Sequence, residues 1–374
     1  MKKHDGQQPS KRKQREDGHP PTPRVKPPLV QMGSVSCVSP SRALTHYLVV
    51  DFLSSSKNSV FFKNRICTVK FRPSSSSSMA TSLQASASST VANKGVKGTS
   101  SDLVGENDLL IVGPGVLGRL VADQWRQEHP GCQIYGETVT TDHHEELIKM
   151  GINPSVVKGS EVTQRFPYVI FCAPPSRSLD YPGDVRLAAM SWNGEGSFLF
   201  TSSSAPYDCN DNGLCDEDSP IVPIGRSPRT DVLLKAEKMV LEFGGCIVRL
   251  AGLYISFIRI ELGAHVYWLG KGTVEVRPDH ILNLIHYEDA ASLSVAILKK
   301  RLRGRIFLGC DNHPVSRQEV MDLVSKSGKF SKKFEGFTGT NDPLGKRLNN
   351  SKTREELGWE PKYASFAHFL GVPE

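Results

Sequence analysis

The sequence lacks several features that define common classes of protein. No uninterrupted apolar run is long enough to cross a membrane; residues 47–53 are the best candidate in the N-terminal part, and Asp51 interrupts them. The eight cysteines contain no C-x-x-C pair, so neither a zinc site nor a thioredoxin-like motif is predicted. We therefore expect no metal and no membrane partner. Cys209 and Cys215 flank an acidic loop and could form a redox-sensitive pair, but free thiols are favoured.

Acidic residues are scarce in the first 101 residues. This segment holds 16 Lys and Arg against 4 Asp and Glu, a net charge of +12. Since the whole chain has a net charge of +7, the remaining residues have a net charge of −5. Residues 1–31 are rich in charged residues and Pro, which predicts disorder. Because the rest of the chain is mildly acidic and lacks any nucleic-acid motif, we expect no nucleic-acid partner.

Between Met32 and about residue 101 the composition is dominated by Ser, Ala, Thr, Lys and Arg. Asp51 is its only acidic residue, and residues 74–78 are an unbroken serine run. A hydroxylated, basic and acid-poor segment is typical of an organelle transit peptide. The high serine content favours the chloroplast stroma over the mitochondrion or the cytosol. Residues 1–101 are thus predicted to be a disordered tail with a transit peptide, a plain linker being the alternative.

The strongest motif is a glycine-rich loop between a predicted strand and a predicted helix. An apolar run at residues 109–112 is typical of a buried strand, and residues 116–125 have helical periodicity. From residue 113 to residue 118 the spacing is G-x-G-x-x-G. Its three glycines permit a tight turn, the close approach of a pyrophosphate and close packing of helix on strand. Amide groups at the helix start would face the phosphates. The predicted cofactor-binding residues here are Gly113, Gly115, Val116, Leu117 and Gly118.

Two further strand ends are predicted to border the cofactor. Glu137 lies 24 residues after Gly113, where an acidic residue would hold the ribose 2′-OH of NAD. If the strand instead ends at Thr138, the strand end offers neither an acidic residue for the ribose 2′-OH nor a basic residue for a 2′-phosphate. The choice between NAD and NADP therefore stays open. Another buried strand runs into Cys172, Ala173 and Pro174, at the sheet edge where ligands bind; these residues complete the predicted cofactor site.

Strands alternate with helices from about residue 102 to residue 254. The predicted strands are residues 109–112, 132–138, 156–157, 168–172, 197–201 and 246–250, and the predicted helices are 116–125, 182–192 and 230–243. This alternation predicts an α/β fold, a doubly wound parallel sheet of the Rossmann type. It is followed by a helix at 290–300 with Asp289 as its N-cap, and by a small C-terminal, substrate-side lobe at about 311–374.

Six motifs occur in a fixed order along the folded part of the chain: residues 113–118, 201–207, 216–220, 249–254, 285–290 and 348–359. Together they resemble the extended short-chain dehydrogenase/reductase superfamily, of the NAD-dependent epimerase/dehydratase type, and most closely an atypical branch with plant chloroplast members. The resemblance covers about residues 107–374. It implies an NAD or NADP cofactor, a small-molecule substrate such as a nucleotide sugar, and a homodimer to which the helix containing residues 232–241 contributes.

The catalytic pair of that superfamily is missing. Active members carry a Tyr-x-x-x-Lys motif in which tyrosine transfers a proton and lysine lowers its pKa. Glu237 keeps the register of the family's helix glutamate, and this register places Arg229 at the tyrosine and Leu233 at the lysine. Arginine is always protonated, and leucine carries no charge. Lys235 lies roughly 200° round the helix from Leu233, so it is no simple substitute.

Two candidate catalytic residues remain at the end of the 197–201 strand. Ser204 matches the family serine that polarises the substrate oxygen, and Tyr207 is the nearby phenol, although a packing role for its ring is favoured. The chain is therefore interpreted as an atypical oxidoreductase or epimerase, or as a non-catalytic dinucleotide sensor acting through a partner. An apolar insert at 255–262 replaces the family's substrate loop, which leaves Arg259 without an assigned role.

The N-terminal composition generates a direct test of location. A fluorescent protein fused behind residues 32–110 is expected to enter chloroplasts, because this segment has the composition of a transit peptide. Confocal microscopy of leaf cells measures the location, with the fluorescent protein alone as the control. Retention of the fusion in the cytosol or nucleus would contradict the prediction.

Overall fold

The computed structural model describes residues 104–157, 162, 164–257, 260–341 and 343–373. The predicted tail and transit peptide lie outside these residues. The strands are β1 (Leu109–Val112), β2 (Ile134–Thr138), β3 (Asn153–Val156), β4 (Phe166–Phe171), β5 (Trp192–Ser203), β6 (Asp211–Cys215), β7 (Cys246–Leu250), β8 (Gly252–Phe257), β9 (Ile260–Leu262), β10 (Thr273–Val274), β11 (Ile281–Leu282), β12 (Leu284–His286), β13 (Ile306–Gly309), β14 (Val315–Ser316), β15 (Gly336–Phe337) and β16 (Gly345–Leu348).

Helices connect most of these strands. They are α1 (Val116–Glu128), α2 (His144–Lys149), α3 (Tyr181–Met190), α4 (Pro228–Glu242), α5 (Ala264–Lys271), α6 (Tyr287–Lys300), α7 (Arg317–Ser327), α8 (Ser351–Leu357) and α9 (Phe366–Leu370), with a short 3₁₀ turn at Pro175–Arg177. None of the helices within the described ranges combines the length and the apolar character that a membrane crossing requires.

The central sheet has seven strands in the order β3-β2-β1-β4-β5-β7-β13, and every neighbouring pair is parallel. The chain winds outward from β1 in one direction and from β4 in the other. This arrangement confirms the predicted α/β fold with a doubly wound parallel sheet. The switch of direction leaves a crevice at the carboxyl ends of β1 and β4, where ligands bind in such sheets.

Both faces of the sheet are covered, which explains the apolar character of β1. Leu109 and Ile111 belong to the core shared with α1 and α6, whereas Leu110 and Val112 belong to the core shared with α3 and α4. All four residues are buried. A central parallel strand buried on both faces requires such a continuous apolar run rather than an alternating one.

Smaller sheets contain residues of a predicted loop and of the apolar insert after Tyr254. Residues 208–218 are predicted as an acidic loop, but β6 lies within them and pairs in parallel with β16. The apolar insert after Tyr254 forms β8 and β9, an antiparallel pair, and β8 also pairs with β12. The sheet β14-β11-β16-β6 therefore joins strands from before and after residue 311. The lobe boundary near 311 stays a prediction.

The predicted N-cap of α6 is wrong. Asp289 lies inside the first turn of α6, and the cap is His286, whose Nδ1 accepts a hydrogen bond from the Glu288 amide at 3.2 Å. Asp289 instead accepts hydrogen bonds from the amides of Lys362 at 2.7 Å and Tyr363 at 3.0 Å. Local sequence favours an acidic cap, but the acceptor is satisfied by amides more than seventy residues away along the chain.

Candidate functional site

The glycine loop has the geometry that its spacing predicts. Gly113 has φ +78°, and a Cβ there would lie 2.7 Å from the Ala173 backbone, so a side chain would separate the ends of β1 and β4. A Cβ at Gly118 would lie 2.9 Å from Cγ2 of Ile111, so glycine allows α1 to approach β1 closely. Both glycines are thus required by the fold itself, whether or not a ligand binds.

Gly115 is different, because no described residue lies close enough to require a glycine there. Its backbone has φ −75° and ψ −154°, an extended conformation that other residues adopt. A Cβ at this position would come no closer to the chain than 4.0 Å, from the Gly113 carbonyl oxygen, so a side chain has room. Gly115 is also the N-cap of α1, with no side-chain cap and no acidic residue in the first turn. The amides of Val116 and Leu117 lie in the first turn of α1, at the positive end of its dipole, and Gly115 offers them no side-chain cap.

Glu137 and Thr138, the two candidates for contacting the cofactor ribose, lie at the end of β2 and have different surroundings. The strand ends at Thr138, whose hydroxyl is within 2.8 Å of the Thr140 carbonyl oxygen and 2.7 Å of Nε2 of His144. Glu137 lies beside Val112 in the sheet and accepts the Gly113 amide on its carbonyl at 2.9 Å. Burial raises the pKa of the Glu137 carboxyl, and no described side chain pairs with it. Glu137 is therefore the free acceptor at this edge.

The end of β4 closes the other side of the crevice. Cys172 donates its amide to the Val112 carbonyl at 2.8 Å, and Ala173 lies against Gly113. The Ala173 carbonyl accepts the Tyr181 hydroxyl at 2.8 Å, and Pro174 caps the 3₁₀ turn. Burial raises the pKa of the Cys172 thiol to about 12, so this sulfur stays protonated. These three residues form a stiff wall beside the glycine loop.

Ser204 and Tyr207, at the end of β5, have different surroundings. The structure gives the Ser204 hydroxyl no partner among the described residues, which leaves it able to donate to a ligand. The Tyr207 ring is buried under the Arg249 guanidinium at 4.7 Å, and its hydroxyl lies 3.4 Å from the Glu217 carbonyl oxygen. Burial raises the pKa of the Tyr207 hydroxyl to about 12. This geometry favours a packing role for Tyr207, and the catalytic role of Ser204 stays a prediction.

A buried ion pair lies next to the end of β5. Arg249 on β7 donates from Nε and Nη2 to the two carboxylate oxygens of Glu237 on α4, at 3.1 and 2.7 Å. The Ser202 hydroxyl on β5 donates to the same carboxylate at 2.6 Å. Each charged side chain of the pair is only 4% exposed. Three elements are therefore held at one point, and the glutamate matched from the family has a structural partner.

The positions of the missing catalytic pair are also clear. Leu233 is buried in the core between α4 and the sheet, and Lys235 is exposed on the opposite side of the helix. Arg229 lies in the first turn of α4 and is half-buried. Within the described part of α4, no tyrosine or buried lysine faces the end of β5. The helix therefore offers no proton-transfer pair of the family type.

Sequence reasoning missed Lys346, on β16. Its ammonium donates to the carbonyl oxygens of Tyr207 at 2.6 Å and Ser204 at 3.2 Å. Burial lowers the pKa of this lysine. No periodicity or motif marked Lys346, because its hydrogen bonds to the end of β5 join residues about 140 positions apart in sequence. The pairing of β16 with β6 places it beside Ser204.

Metal and thiol chemistry find no support in the described ranges. In them, no group of three or more His, Cys, Asp or Glu is placed to hold a metal ion. The six cysteines of these ranges are free thiols, including Cys209 and Cys215. Cys209 lies 3.5 Å from a carboxylate oxygen of Asp211, and its pKa is raised, mainly by burial. His143 precedes α2 as its N-cap residue; its exposed ring makes no capping bond and lies 3.5 Å from a carboxylate oxygen of Glu146.

Neither a model of a known protein family nor a curated protein sequence matches the chain. Solved structures do. UDP-glucose 4-epimerase of Thermotoga maritima, solved with UDP-glucose, is 15% identical, covers 71% of this chain and 96% of its own, and has a TM-score of 0.58. UDP-glucuronic acid 4-epimerase of Bacillus cereus, solved with NAD, is 16% identical over 71% and 94%, with a TM-score of 0.57.

A third structure is similar to the same extent. It is the dTDP-glucose 4,6-dehydratase of Bacillus anthracis in complex with NAD, 16% identical over 70% of this chain and 94% of its own, with a TM-score of 0.56. At such identities the similarity shows the fold: a Rossmann-type α/β domain. The neighbours are epimerases and a dehydratase, the kind of protein that the six sequence motifs resemble.

The ion pair behind the site generates a stability prediction. Glu237→Gln leaves Arg249 charged and buried without a counter-ion, so the free energy of unfolding should fall by about 3 kcal/mol or more. Urea denaturation measures it. The control on the same helix is Lys238→Gln, which breaks a pair whose side chains are 74% and 52% exposed and should change stability by less than about 0.5 kcal/mol. Equal effects of the two substitutions would refute the assignment.

Proposed function

We propose that the chain binds a nicotinamide dinucleotide in the loop between β1 and α1. The observation that carries this proposal is Gly115, where the described residues leave room for a side chain. A glycine at that place is explained if a ligand, rather than the chain, occupies the space in front of it. A pyrophosphate fits there, because the uncapped amides and the dipole of α1 favour a negative group.

NAD is proposed over NADP. The end of β2 presents the Glu137 carboxylate, an acceptor for the ribose hydroxyls, and no described residue satisfies it. A 2′-phosphate beside that carboxylate would be repelled when both are charged. Thr138 does not compete, because its hydroxyl already has partners within the chain. Cys172, Ala173 and Pro174 would form the opposite wall of the cofactor site.

The chemistry proposed for the site is that of an atypical oxidoreductase or epimerase acting on a small molecule such as a nucleotide sugar. NAD, when bound, would supply hydride transfer. The Ser204 hydroxyl would donate a hydrogen bond to the substrate oxygen and polarise it. Arg229 and Leu233 cannot donate and then accept a proton near neutral pH. The alternative is a non-catalytic dinucleotide sensor, which the missing pair favours.

Location and assembly remain part of the proposal. A plastid stroma location is supported by the composition of residues 32–101. The apolar residues of α4 give little support to a homodimer that forms through this helix. Leu233, Ala236 and Val240 are buried against the sheet of their own chain, and Leu241 is 37% exposed.

Calorimetry tests the dinucleotide site. Wild-type protein should bind NAD, and more tightly than NADP. Gly115→Val should weaken NAD binding by at least about 2 kcal/mol, because the side chain has room in the chain but fills the space proposed for the pyrophosphate. Gly270→Val is the matched control, since Gly270 also has open space at its Cβ position but lies in α5. Absence of NAD binding by the wild type, or equal affinities of the two variants, would refute the proposal.

A second experiment separates catalysis from sensing. NADH oxidation across a panel of carbonyl substrates should be slow, since general acid–base catalysis commonly contributes about 10²–10⁴-fold in rate. Any turnover should be lost in Ser204→Ala and largely kept in Arg229→Ala, because the Ser204 hydroxyl has no described partner and can donate to the substrate, whereas arginine cannot act as a base. Turnover that needs Arg229 and ignores Ser204 would contradict this assignment. Binding without any turnover would support the sensor.

A further inference from the structure

Lys346 holds an unpaired positive charge beside Ser204. A lysine ammonium has three N–H donors, and two of them go to the carbonyl oxygens of Tyr207 and Ser204, at 2.6 and 3.2 Å. The third has no acceptor among the residues that the structure describes. The side chain is half-buried, so solvent satisfies this charge only in part.

The charges around Lys346 do not neutralise it. Arg249 and Glu237 neutralise each other in their bidentate pair. Asp208, a carboxylate whose charge acts on the lysine, lies within 3.6 Å of Arg226. The Lys346 ammonium thus has no ion-pair partner among the described residues and lies in a partly desolvated place. A desolvated charge without a counter-ion is costly, which favours binding of an anion there.

The backbone holds Lys346 rigidly in place. Gly345, which precedes it, has φ +86°, and a Cβ there would overlap the Ile281 carbonyl. The pairing of β16 with β6 shifts register at Lys346, and such a bulge re-aims a side chain. The Asn283 amide bonds both sides of the bulge, donating to the Lys346 carbonyl and accepting from the Leu348 amide, each at 2.8 Å. The ammonium is thus preorganised rather than free on the surface.

We propose that Lys346 is a substrate-binding residue that holds an anionic group, a carboxylate or a phosphate, beside the Ser204 hydroxyl. The inference rests on the proposed function and adds the charge of the substrate to it. The same carbonyl oxygens that fix the ammonium belong to the loop that carries Ser204. An anion bound to the third N–H therefore lies next to the hydroxyl that would polarise the substrate.

Titration with simple anions tests the site directly. Inorganic phosphate is added to the full chain saturated with NAD, so that the α1 amides are already occupied, and calorimetry records binding. Lys346→Met should weaken phosphate binding about tenfold or more, the scale of one charge-assisted hydrogen bond. Lys346→Arg keeps the charge and should retain binding. Arg347→Met removes the adjacent cation of β16 and should have no effect.

Two nucleotide sugars identify the source of the anion. UDP-glucuronic acid and UDP-glucose share a diphosphate and differ in one carboxylate. A larger loss for UDP-glucuronic acid in Lys346→Met assigns the carboxylate to the lysine, and an equal loss for both assigns the diphosphate. Unchanged binding of phosphate and of both sugars in Lys346→Met would overturn the proposal, as would a wild type that binds no phosphate.

Two controls keep the test separate from folding and from the dinucleotide proposal. Melting temperatures show whether Lys346→Met folds, and Lys346→Gln, which keeps an N–H donor without the charge, serves if it does not. A wild type that fails to bind NAD refutes the dinucleotide proposal. A phosphate-affinity difference between wild type and Lys346→Met would still support the anion site in that case.

Discussion

The bidentate pair between Arg249 and Glu237 is the interaction on which the end of the sheet depends. It joins β7 to α4 in the interior, and the Ser202 hydroxyl adds β5 to the same carboxylate. Two charges remain stable there only because each has its hydrogen-bond partners. The guanidinium also covers the Tyr207 ring. The residues on both sides of Ser204, Ser202 and Tyr207, therefore contact this ion pair.

The same helix contains both a buried charged residue and the apolar residues of the core. Glu237 keeps its register because an arginine and a serine require it, which is a structural constraint. One turn earlier, Leu233 fills the core between helix and sheet, where a charged lysine would need a partner. The helix thus combines a glutamate that joins it to β7 and β5 with a leucine that packs in the core. Lys346, from a different strand, is the cation that reaches this edge.

Two kinds of glycine meet at the cofactor crevice. Gly113 and Gly118 are needed because neighbouring backbone and side-chain atoms leave no room for a Cβ. Gly115 has room for a Cβ among the described residues and an extended conformation. The distances thus distinguish the two glycines that packing requires from the one that it does not require.

Periodicity and spacing by themselves determined the doubly wound sheet and the glycine loop, whereas the missing Tyr–Lys pair is what the resemblance to the family implies. These are local signals: an apolar run such as residues 109–112, a helix after a glycine loop, and register along one helix. Tertiary structure decided what depends on distant partners. Pairing with β16 forms β6 within a predicted loop. Asp289 accepts hydrogen bonds from the amides of Lys362 and Tyr363 rather than capping its own helix. Lys346 donates a hydrogen bond to the carbonyl oxygen of Ser204. Such contacts join residues about 70 to 140 positions apart, and no short-range pattern records them.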